Sequence, residues 1–311
     1  MASPRIGVIG ATGAVGRVTI ELLRERGYDD VRYFASARSA GTELDGRTIE
    51  EATPEVLSAG ELDLCFFSVG TSASRELVPH AVQGGAVCID KSSAYRLEPG
   101  VPLVVPEVNG DRALEHDGIV ANPNCSTIPL TMALKVLHEE AGLARVRLAT
   151  YQSMSGAGAQ AMERLRRTEP GAANLAMDWS LEGDEFEEES KLRAETRKIL
   201  ELPELPVAAT CVRVPVMVGH AEAVWVETEE PVSPERAREL YASSAGIRVS
   251  DFPTPGEAAG RDDVLIGRIR RDPTTANGLQ LFVVADNLRK GAALNAIQIA
   301  ELLLERAPLS A

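Results

Sequence analysis

Short apolar runs alternate with amphipathic segments through the first part of the chain. The apolar runs occupy residues 5–9, 31–35, 62–69, 86–90 and 119–121, and the helical pattern occupies residues 18–26 and 72–82. Regular alternation of strands with helices is typical of α/β proteins. The pattern therefore predicts a doubly wound parallel sheet in this part of the chain.

The second part of the chain is also rich in strands, but it is built differently. Strand patterns occupy residues 146–150, 223–227, 264–271 and 280–285, and the last two look antiparallel and half-buried. We expect an α+β catalytic and dimerisation domain with a mostly antiparallel sheet, and a final amphipathic helix that residues 286–293 open, that ends near residue 306 and that packs on the first domain. The expected domains are residues 1–124 plus 290–311, and residues 125–289.

The charge of the chain excludes some partners. A net charge of −14 argues against nucleic acid and anionic membrane surfaces, because both require a basic face. The four cysteines are scattered without a CxxC pair, so neither disulfides nor a metal site is expected. The chain shows neither a signal peptide nor an apolar run of membrane-spanning length, which makes the cytoplasm the default compartment.

A glycine-rich turn follows the first strand and opens the first helix. Gly10, Gly13 and Gly16 form a GxxGxxG pattern, and Thr12, Ala14 and Val15 fill its gaps. In this context the glycines allow a tight turn, the approach of a pyrophosphate and close packing of helix on strand. The turn predicts a Rossmann-type dinucleotide site; the alternative is a glycine-rich turn without a ligand.

The loop after the second strand bears on the choice of cofactor. A bare ribose usually meets an acidic residue here, whereas this chain has Ser36, Arg38 and Ser39. Hydroxyls and a guanidinium suit a 2′-phosphate, so NADP is favoured over NAD. The alternative is an arginine in a solvated loop.

Cys125 lies where an apolar strand ends and a helix over residues 127–140 begins. Backbone N–H groups at a helix N-terminus carry partial positive charge, which favours the nucleophilic thiolate. This position predicts a nucleophile. The alternative is a buried structural cysteine, which is the more common fate of a free cysteine.

Other polar residues stand at places where substrates are often bound. Gln152 follows a strand and can orient a carbonyl, and Arg213 lies in an otherwise apolar strand, which is costly unless the guanidinium meets an anion. His220 begins a strand, although a lone histidine is more often structural than catalytic. Arg96 lies in a polar loop, where an arginine is more often simply solvated.

An acidic run at residues 185–189 opens a further helix. Acidic residues suit a helix N-terminus, and most of this run is expected to form a solvated face. Glu188 and Lys191 are three positions apart and share one face, so both can reach a pocket.

With these residues in view, the chain resembles the bacterial aspartate-β-semialdehyde dehydrogenase family. The matching blocks are GATGAVG at 10–16, SARSAG at 36–41, VPLVVPEVN at 101–109, NPNCST at 122–127, YQSMSGAG at 151–158, CVRVPV at 211–216, GHAE at 219–222 and DNLRKGAALN at 286–295. NPNCST with the downstream arginine and histidine is highly specific. The blocks run nearly from end to end of the chain.

The resemblance implies a role for each matching residue. Cys125 would carry an acyl thioester, His220 would be the general acid/base, and Gln152 would orient the intermediate. Arg213 would grip the substrate α-carboxylate and Glu188 would meet its amino group. Arg96, Asn124 and Lys191 would form the phosphate site. The matching cofactor contacts are Thr12, Gly13, Ala14, Val15, Arg38, Ser39, Ser155, Gly156 and Asn287.

The resemblance also implies a reaction and an assembly. The reaction would convert L-β-aspartyl phosphate and NADPH to L-aspartate 4-semialdehyde, for the biosynthesis of lysine, threonine, methionine and diaminopimelate. A homodimer or homotetramer is expected. The stretch between residues 158 and 185 is shorter than in the family and lacks its Asn-Val-Ile-Pro-like segment, which affects the expected dimer contact and the placement of Glu188 and Lys191.

Two other functions stay open at this point. An N-acetyl-glutamyl-phosphate reductase performs the same chemistry on an acylated substrate, and it would not need an acidic partner such as Glu188 for a free amine. A catalytically silent NADP-binding sensor would be expected to lack the nucleophile, whereas Cys125, Gln152, Arg213 and His220 are all present.

Overall fold

The computed structural model describes residues 3–169 and 171–306. The chain divides into two compact units, of which unit 1 comprises Met1–Pro123 and Ala292–Ala311 and unit 2 comprises Asn124–Gly291. Among the described residues no helix combines the length and apolar character that crossing a membrane requires.

Unit 1 is built on a six-stranded, fully parallel sheet of order β5-β2-β1-β6-β7-β8. Its strands, with the small antiparallel pair β3 and β4, are β1 Ile6–Ile9, β2 Val31–Ala35, β3 Glu43–Leu44, β4 Arg47–Thr48, β5 Glu50–Glu51, β6 Leu64–Phe67, β7 Val87–Asp90 and β8 Ile119–Ala121. Its helices are α1 Ala14–Glu25, α2 Pro54–Leu57, α3 Thr71–Gln83, α4 Pro106–Asn109 and α10 Leu294–Arg306.

The parallel sheet has a hydrophobic core on each face. Ile6 and Val8 face the cluster that contains the apolar side of α10, whereas Ile9 and Phe67 face the cluster beneath α3. Every residue of β1, β6 and β7 is buried because both faces are covered. The strand order is that of a dinucleotide-binding fold, in which ligands bind near the first strand and its neighbour across the switch point.

Unit 2 contains a mixed six-stranded sheet of order β12-β9-β13-β16-β15-β14. Its strands, with the small antiparallel pair β10 and β11, are β9 Arg145–Gln152, β10 Leu181–Glu182, β11 Glu185–Phe186, β12 Val207–Arg213, β13 His220–Glu227, β14 Ile247–Val249, β15 Val264–Arg271 and β16 Gly278–Ala285. Its helices are α5 Thr127–Ala141, α6 Ala159–Arg166, α7 Glu187–Leu200, α8 Pro234–Ser243 and α9 Pro255–Ala258.

The central pairings of this sheet are antiparallel and those at its two edges are parallel. The predicted antiparallel pairing of β15 with β16 is confirmed. Along β9, Leu148, Thr150 and Gln152 are buried, whereas Tyr151 is 38% exposed. The alternation gives the sheet one buried face and one partly exposed face.

Candidate active site

The termini of four neighbouring strands lie side by side at one end of the unit 2 sheet. Gln152 ends β9 and lies opposite Arg213, which ends the parallel neighbour β12. His220 begins β13, which runs antiparallel to β9, and lies opposite Ala285, which ends β16. Gln152, Arg213 and His220 are distant in sequence, but the register of the strands brings them to the same end of the sheet.

The turn that carries Cys125 is held by two carboxyl or amide oxygens. The Asn124 side-chain oxygen accepts from the Ser126 N–H at 2.8 Å, and Glu195 Oε2 accepts from the Asn124 N–H at 2.7 Å. Cys125 itself is half-buried and immediately precedes Ser126, the N-cap of α5. A Cβ at Gly291 would lie 3.2 Å from Cys125 Cβ, so a larger residue would crowd the thiol.

Glu188 joins the turn that carries Cys125 to the end of the unit 2 sheet. Its Oε1 accepts from the side-chain amides of Asn124 at 2.9 Å and Gln152 at 2.8 Å. The Gln152 amide also donates to the Ser126 hydroxyl at 2.9 Å. Hydrogen bonds therefore connect Gln152 with the residues on both sides of Cys125.

His220 is a buried imidazole whose tautomer is set by the backbone. The Ser153 N–H donates to Nδ1 at 3.0 Å, so the neutral ring must carry its proton on Nε2. Burial, and next the positive charge of Arg213, lower the pKa of His220 to about 3. Nε2 is buried and has no hydrogen-bond partner among the described residues.

A hydroxyl and amide network surrounds this imidazole. Asn287 Oδ1 accepts from the Ser153 hydroxyl at 3.0 Å and from the Gly219 N–H at 2.9 Å, while its amide donates to the Ser155 hydroxyl at 2.9 Å. A Cβ at Gly156 would lie 3.1 Å from His220 Nε2. The predicted cofactor residues Ser155, Gly156 and Asn287 thus lie around His220.

Arg213 is 5% exposed and its charge is matched within the chain. Its Nε donates to both Asp178 carboxylate oxygens, at 3.0 and 3.1 Å, and its Nη1 donates to the Ser153 carbonyl at 3.0 Å. Its guanidinium carbon lies 4.7 Å from the centre of the Trp179 ring. The sequence predicted that this arginine meets an anion, and in the structure that anion is the Asp178 carboxylate of the same chain.

Only part of the acidic run at residues 185–189 faces solvent, because the side chains of Glu185 and Glu187 are 36% and 33% exposed. Glu188 and Glu189 are 6% and 8% exposed, so the expectation that most of the run forms a solvated face is wrong. They are buried because they accept hydrogen bonds from Asn124, Gln152, Phe186 and Cys211. Lys191 instead forms an ion pair with Glu187, at 3.2 Å, on the more exposed side of the helix.

The glycine-rich turn of unit 1 is tightly constrained. Gly10 has a φ of +91°, and a Cβ there would lie 2.4 Å from the Ser68 carbonyl oxygen; a Cβ at Gly16 would lie 2.1 Å from the Gly10 oxygen. Helix α1 begins at Ala14, and no side chain hydrogen bonds to cap its N-terminus at Gly13. Uncapped N–H groups at the start of a 12-residue helix fit a pyrophosphate.

The remaining unit 1 candidates differ in environment. Ser36 and Arg38 are exposed in the loop after β2, and Ser39 is half-buried there. Arg96 is 8% exposed, and it donates to the Asn122 carbonyl at 3.0 Å and the Lys91 carbonyl at 2.7 Å. Arg96 is therefore a buried, hydrogen-bonded side chain and not a solvated one.

Several residues of this site were not singled out by the sequence. Ser153 donates to His220, Glu195 accepts from the backbone of the turn that carries Cys125, and Asp178 pairs with Arg213. Glu195 had a usable signal, because it lies seven positions after Glu188 and therefore on the same helix face. Asp178 had none, because it lies in an irregular stretch with no periodicity.

Two protein-family models match the chain. One describes a semialdehyde dehydrogenase NAD binding domain and matches residues 5–116; the other describes a semialdehyde dehydrogenase dimerisation domain and matches residues 134–290. Together they cover most of the chain.

Similar individual proteins are also known. The aspartate-semialdehyde dehydrogenase of Streptomyces akiyoshiensis is 45% identical, over 96% of this chain and 98% of its own length. Aspartate semialdehyde dehydrogenase II from Vibrio cholerae, solved in complex with ASA, is 38% identical with a TM-score of 0.93, over 99% of this chain and 100% of that chain. The Candida albicans enzyme, solved with NADP, is 28% identical with a TM-score of 0.79, over 97% and 98%.

Proposed function

The chain belongs to the aspartate-semialdehyde dehydrogenase family, and from that premise we propose that it reduces L-β-aspartyl phosphate to L-aspartate 4-semialdehyde through a thioester on Cys125. The observation that carries this proposal is the path of hydrogen bonds and adjacent residues from Cys125 through Ser126, Gln152 and Ser153 to His220. It links a nucleophile at a helix N-terminus to a neutral imidazole at a strand start.

Cys125 begins the reaction. Its thiolate attacks the acyl carbon of the substrate, the carbon–sulfur bond forms, and the bond to the phosphate oxygen breaks with release of phosphate. A thioester splits one difficult displacement into two easier steps. The partial positive charge at the start of α5 favours the thiolate.

His220 acts on the oxygen of the reacting carbon. As the proposed acid/base group, it donates a hydrogen bond from Nε2–H to the oxyanion of the thiohemiacetal on Cys125. Collapse of that oxyanion breaks the carbon–sulfur bond and releases the aldehyde and the Cys125 thiolate; in the reverse direction the thiolate adds to the aldehyde and the same N–H stabilises the oxyanion. A pKa of about 3 in the free protein keeps the ring neutral at physiological pH, with the proton on Nε2. Gln152 orients the acyl group from the neighbouring strand.

Charged residues select the substrate. Arg213 binds the α-carboxylate, for which its planar fork is suited, and Glu188 meets the amino group. Arg96, Asn124 and Lys191 bind the phosphate. A local basic set of this kind is required because the chain as a whole carries a net charge of −14.

The glycine-rich turn fits the cofactor because the start of α1 has no side-chain cap and because the glycine positions carry no side chain that would block a phosphate. Gly10, Thr12, Gly13, Ala14, Val15 and Gly16 would hold the pyrophosphate half, and Ser36, Arg38 and Ser39 the 2′-phosphate of NADP. Ser155, Gly156 and Asn287 would contact the nicotinamide half. When bound, NADPH supplies the hydride that reduces the thioester.

We also propose an oligomeric state, a cellular location and a metabolic role. A dimerisation domain supports a homodimer or a larger homo-oligomer. Biosynthetic relatives support a cytoplasmic location and a role in the aspartate family of amino acids.

The test follows NADPH formation from aspartate semialdehyde, NADP and phosphate with the intact protein and Cys125→Ser. We expect turnover that disappears in the variant, while binding of NADPH is retained. N-acetyl-glutamate semialdehyde serves as the second substrate, and activity with it alone would assign the protein to the related reductase. Activity with neither substrate would contradict the proposal.

A further inference from the structure

The irregular stretch before α7 is attached to the edge of the unit 2 sheet beside Arg213. β12 is an edge strand, so its outward backbone groups need partners from elsewhere. Ala176 supplies them, because its N–H donates to the Arg213 carbonyl at 3.1 Å and its carbonyl accepts from the Arg213 N–H at 2.8 Å. Asp178 follows two residues later and is therefore held next to this arginine.

The Asp178 carboxylate already occupies the Nε side of the Arg213 guanidinium. Both of its oxygens lie within 3.1 Å of Arg213 Nε, and the neighbouring Trp179 covers the guanidinium plane. The arginine side chain is 6% exposed, whereas that of the aspartate is 45% exposed. The aspartate can therefore turn into solvent while the arginine remains where it is.

We propose that Asp178 is an internal competitor of the substrate α-carboxylate, exchanging with it on the Arg213 guanidinium. The inference rests on the proposed function, in which Arg213 binds that carboxylate. Exchange keeps a counter-ion on a nearly buried cation throughout, which avoids the cost of leaving it unpaired. The backbone bridge at Ala176 remains in place, so only the Asp178 side chain needs to rotate.

The opposite role for Asp178 would be to orient Arg213 for the substrate. The two roles predict opposite effects on removal of the charge. A competitor lowers the affinity for a carboxylate substrate, so its loss lowers KM. A positioning residue raises that affinity, so its loss raises KM.

The test compares Asp178→Asn with the intact enzyme, using aspartate semialdehyde with saturating NADP and phosphate. The amide preserves shape and an acceptor oxygen for Arg213 while it removes the charge. Because the Asp178 carboxylate is 45% exposed and its charge is screened by solvent, the pair contributes little, so we expect KM to fall about two- to fivefold with kcat nearly unchanged. Asp184→Asn is the matched control, because Asp184 is an exposed acid of the same stretch, and its KM should stay at the wild-type value.

A second substrate separates competition at Arg213 from a general effect of charge. 3-Aminopropanal keeps the amine and the aldehyde and lacks only the α-carboxylate, so its kcat/KM should be the same in both enzymes. An unchanged or raised KM for aspartate semialdehyde in Asp178→Asn would overturn the inference. A fall in KM that Asp184→Asn reproduces, or a matching gain with 3-aminopropanal, would overturn it equally.

The outcome for the intact enzyme distinguishes this inference from the proposed function. Absence of turnover of aspartate semialdehyde by the intact enzyme would overturn the proposed function and this inference together. Turnover by the intact enzyme with no fall in KM in Asp178→Asn would overturn the inference alone. A substrate-induced rise in Tm that is larger in Asp178→Asn than in the intact protein would support it without any measurement of rate.

Discussion

Two buried titratable side chains stand two residues apart on β13. His220 and Glu222 are each 1% exposed. Burial lowers the pKa of His220 to about 3 and raises that of Glu222 well above its ordinary value of 4.5. His220 is therefore uncharged near neutral pH and carries a single N–H, on Nε2, whereas Glu222 keeps its proton to a higher pH than an exposed glutamate does.

The raised pKa of Glu222 predicts how stability varies with pH. The folded state holds a proton on this carboxyl that the unfolded state has lost above about pH 4.5. Folded protein then binds more protons than unfolded protein, so the free energy of unfolding falls as pH rises, by at most about 1.4 kcal/mol per pH unit. Glu222→Gln removes this loss, and it should exceed the intact protein in stability at pH 8 and match it at pH 4 when measured by urea unfolding.

Glu227 on the same strand provides a control of opposite sign. Hydrogen bonds from Thr275 and then Arg145 lower the pKa of this half-buried carboxyl. Its contribution to the free energy of unfolding is present above the pKa of the unfolded state and is lost as pH falls through the folded-state pKa. Glu227→Gln should therefore be less stable than the intact protein at pH 8. A Glu222→Gln variant that is destabilised at pH 8 would contradict the assignment of a neutral buried carboxyl.

Gly156 predicts a second effect at the scale of one residue. A Cβ here would lie 3.1 Å from His220 Cε1 and Nε2 and 3.2 Å from Arg213 Nη1, closer than most real contacts. Gly156→Ala should therefore lower kcat by about tenfold or more, because a small displacement of a positioned group is costly. Steady-state kinetics of the folded variant would measure it.

Gly256 is the matched control for that substitution. It lies in the same unit, and a Cβ added there would meet nothing within 4 Å. Gly256→Ala should keep the wild-type kcat. Equal rates in the Gly156 and Gly256 variants would show that the space beside His220 is not critical.

At the scale of elements, α7 is anchored by acids on its inner face. Glu195 binds the turn that carries Cys125, Glu188 binds Asn124 and Gln152, and Glu189 binds β12. Glu189 matters because β12 is an edge strand, and its Cys211 N–H needs an acceptor. The helix thus completes the sheet and positions the site at the same time.

Glu189→Ala tests this anchoring. Its Oε1 accepts from the Cys211 N–H and its Oε2 from the Phe186 N–H, both at 2.9 Å. Loss of a cap and of one acceptor for a buried N–H should cost about 2–4 kcal/mol in the free energy of unfolding. Glu187→Ala, which removes only the pair with Lys191, should cost about 0.5 kcal/mol or less. Similar losses in both variants, by urea unfolding, would contradict the anchoring role.

Elements with strong patterns were predicted well from the sequence. The runs at residues 31–35 and 86–90 correspond to β2 and β7, and the nucleophile helix was predicted within one residue of its end. The acidic run was misjudged because local charge indicates solvent, whereas the acceptors needed by Asn124 and Cys211 come from distant parts of the chain. The Asp178–Arg213 pair was unpredictable for the same reason, because register and edge pairing decide it.

At the scale of the whole molecule, the partly exposed face of the unit 2 sheet has the character of an interface. Tyr151 is 38% exposed, and its ring lies 6.3 Å from that of Phe282, with Trp225 half-buried on the same sheet. Contiguous apolar residues on a sheet face are typical of an interface. The match of residues 134–290 to a dimerisation domain agrees with this interpretation.

The last prediction therefore concerns assembly. A stable dimer buries roughly 1,000 Å² or more, and cations placed at the centre of an apolar contact oppose it. Tyr151→Arg and Phe282→Arg should each shift the protein from dimer to monomer in sedimentation or light scattering, because the face already carries Arg268 and Arg270. Leu97→Arg alters a residue of unit 1 that is 54% exposed and should leave the dimer intact. Because Tyr151 adjoins Gln152 on β9, loss of the dimer should also reduce kcat, and monomers with full activity would show that each site is complete within one chain.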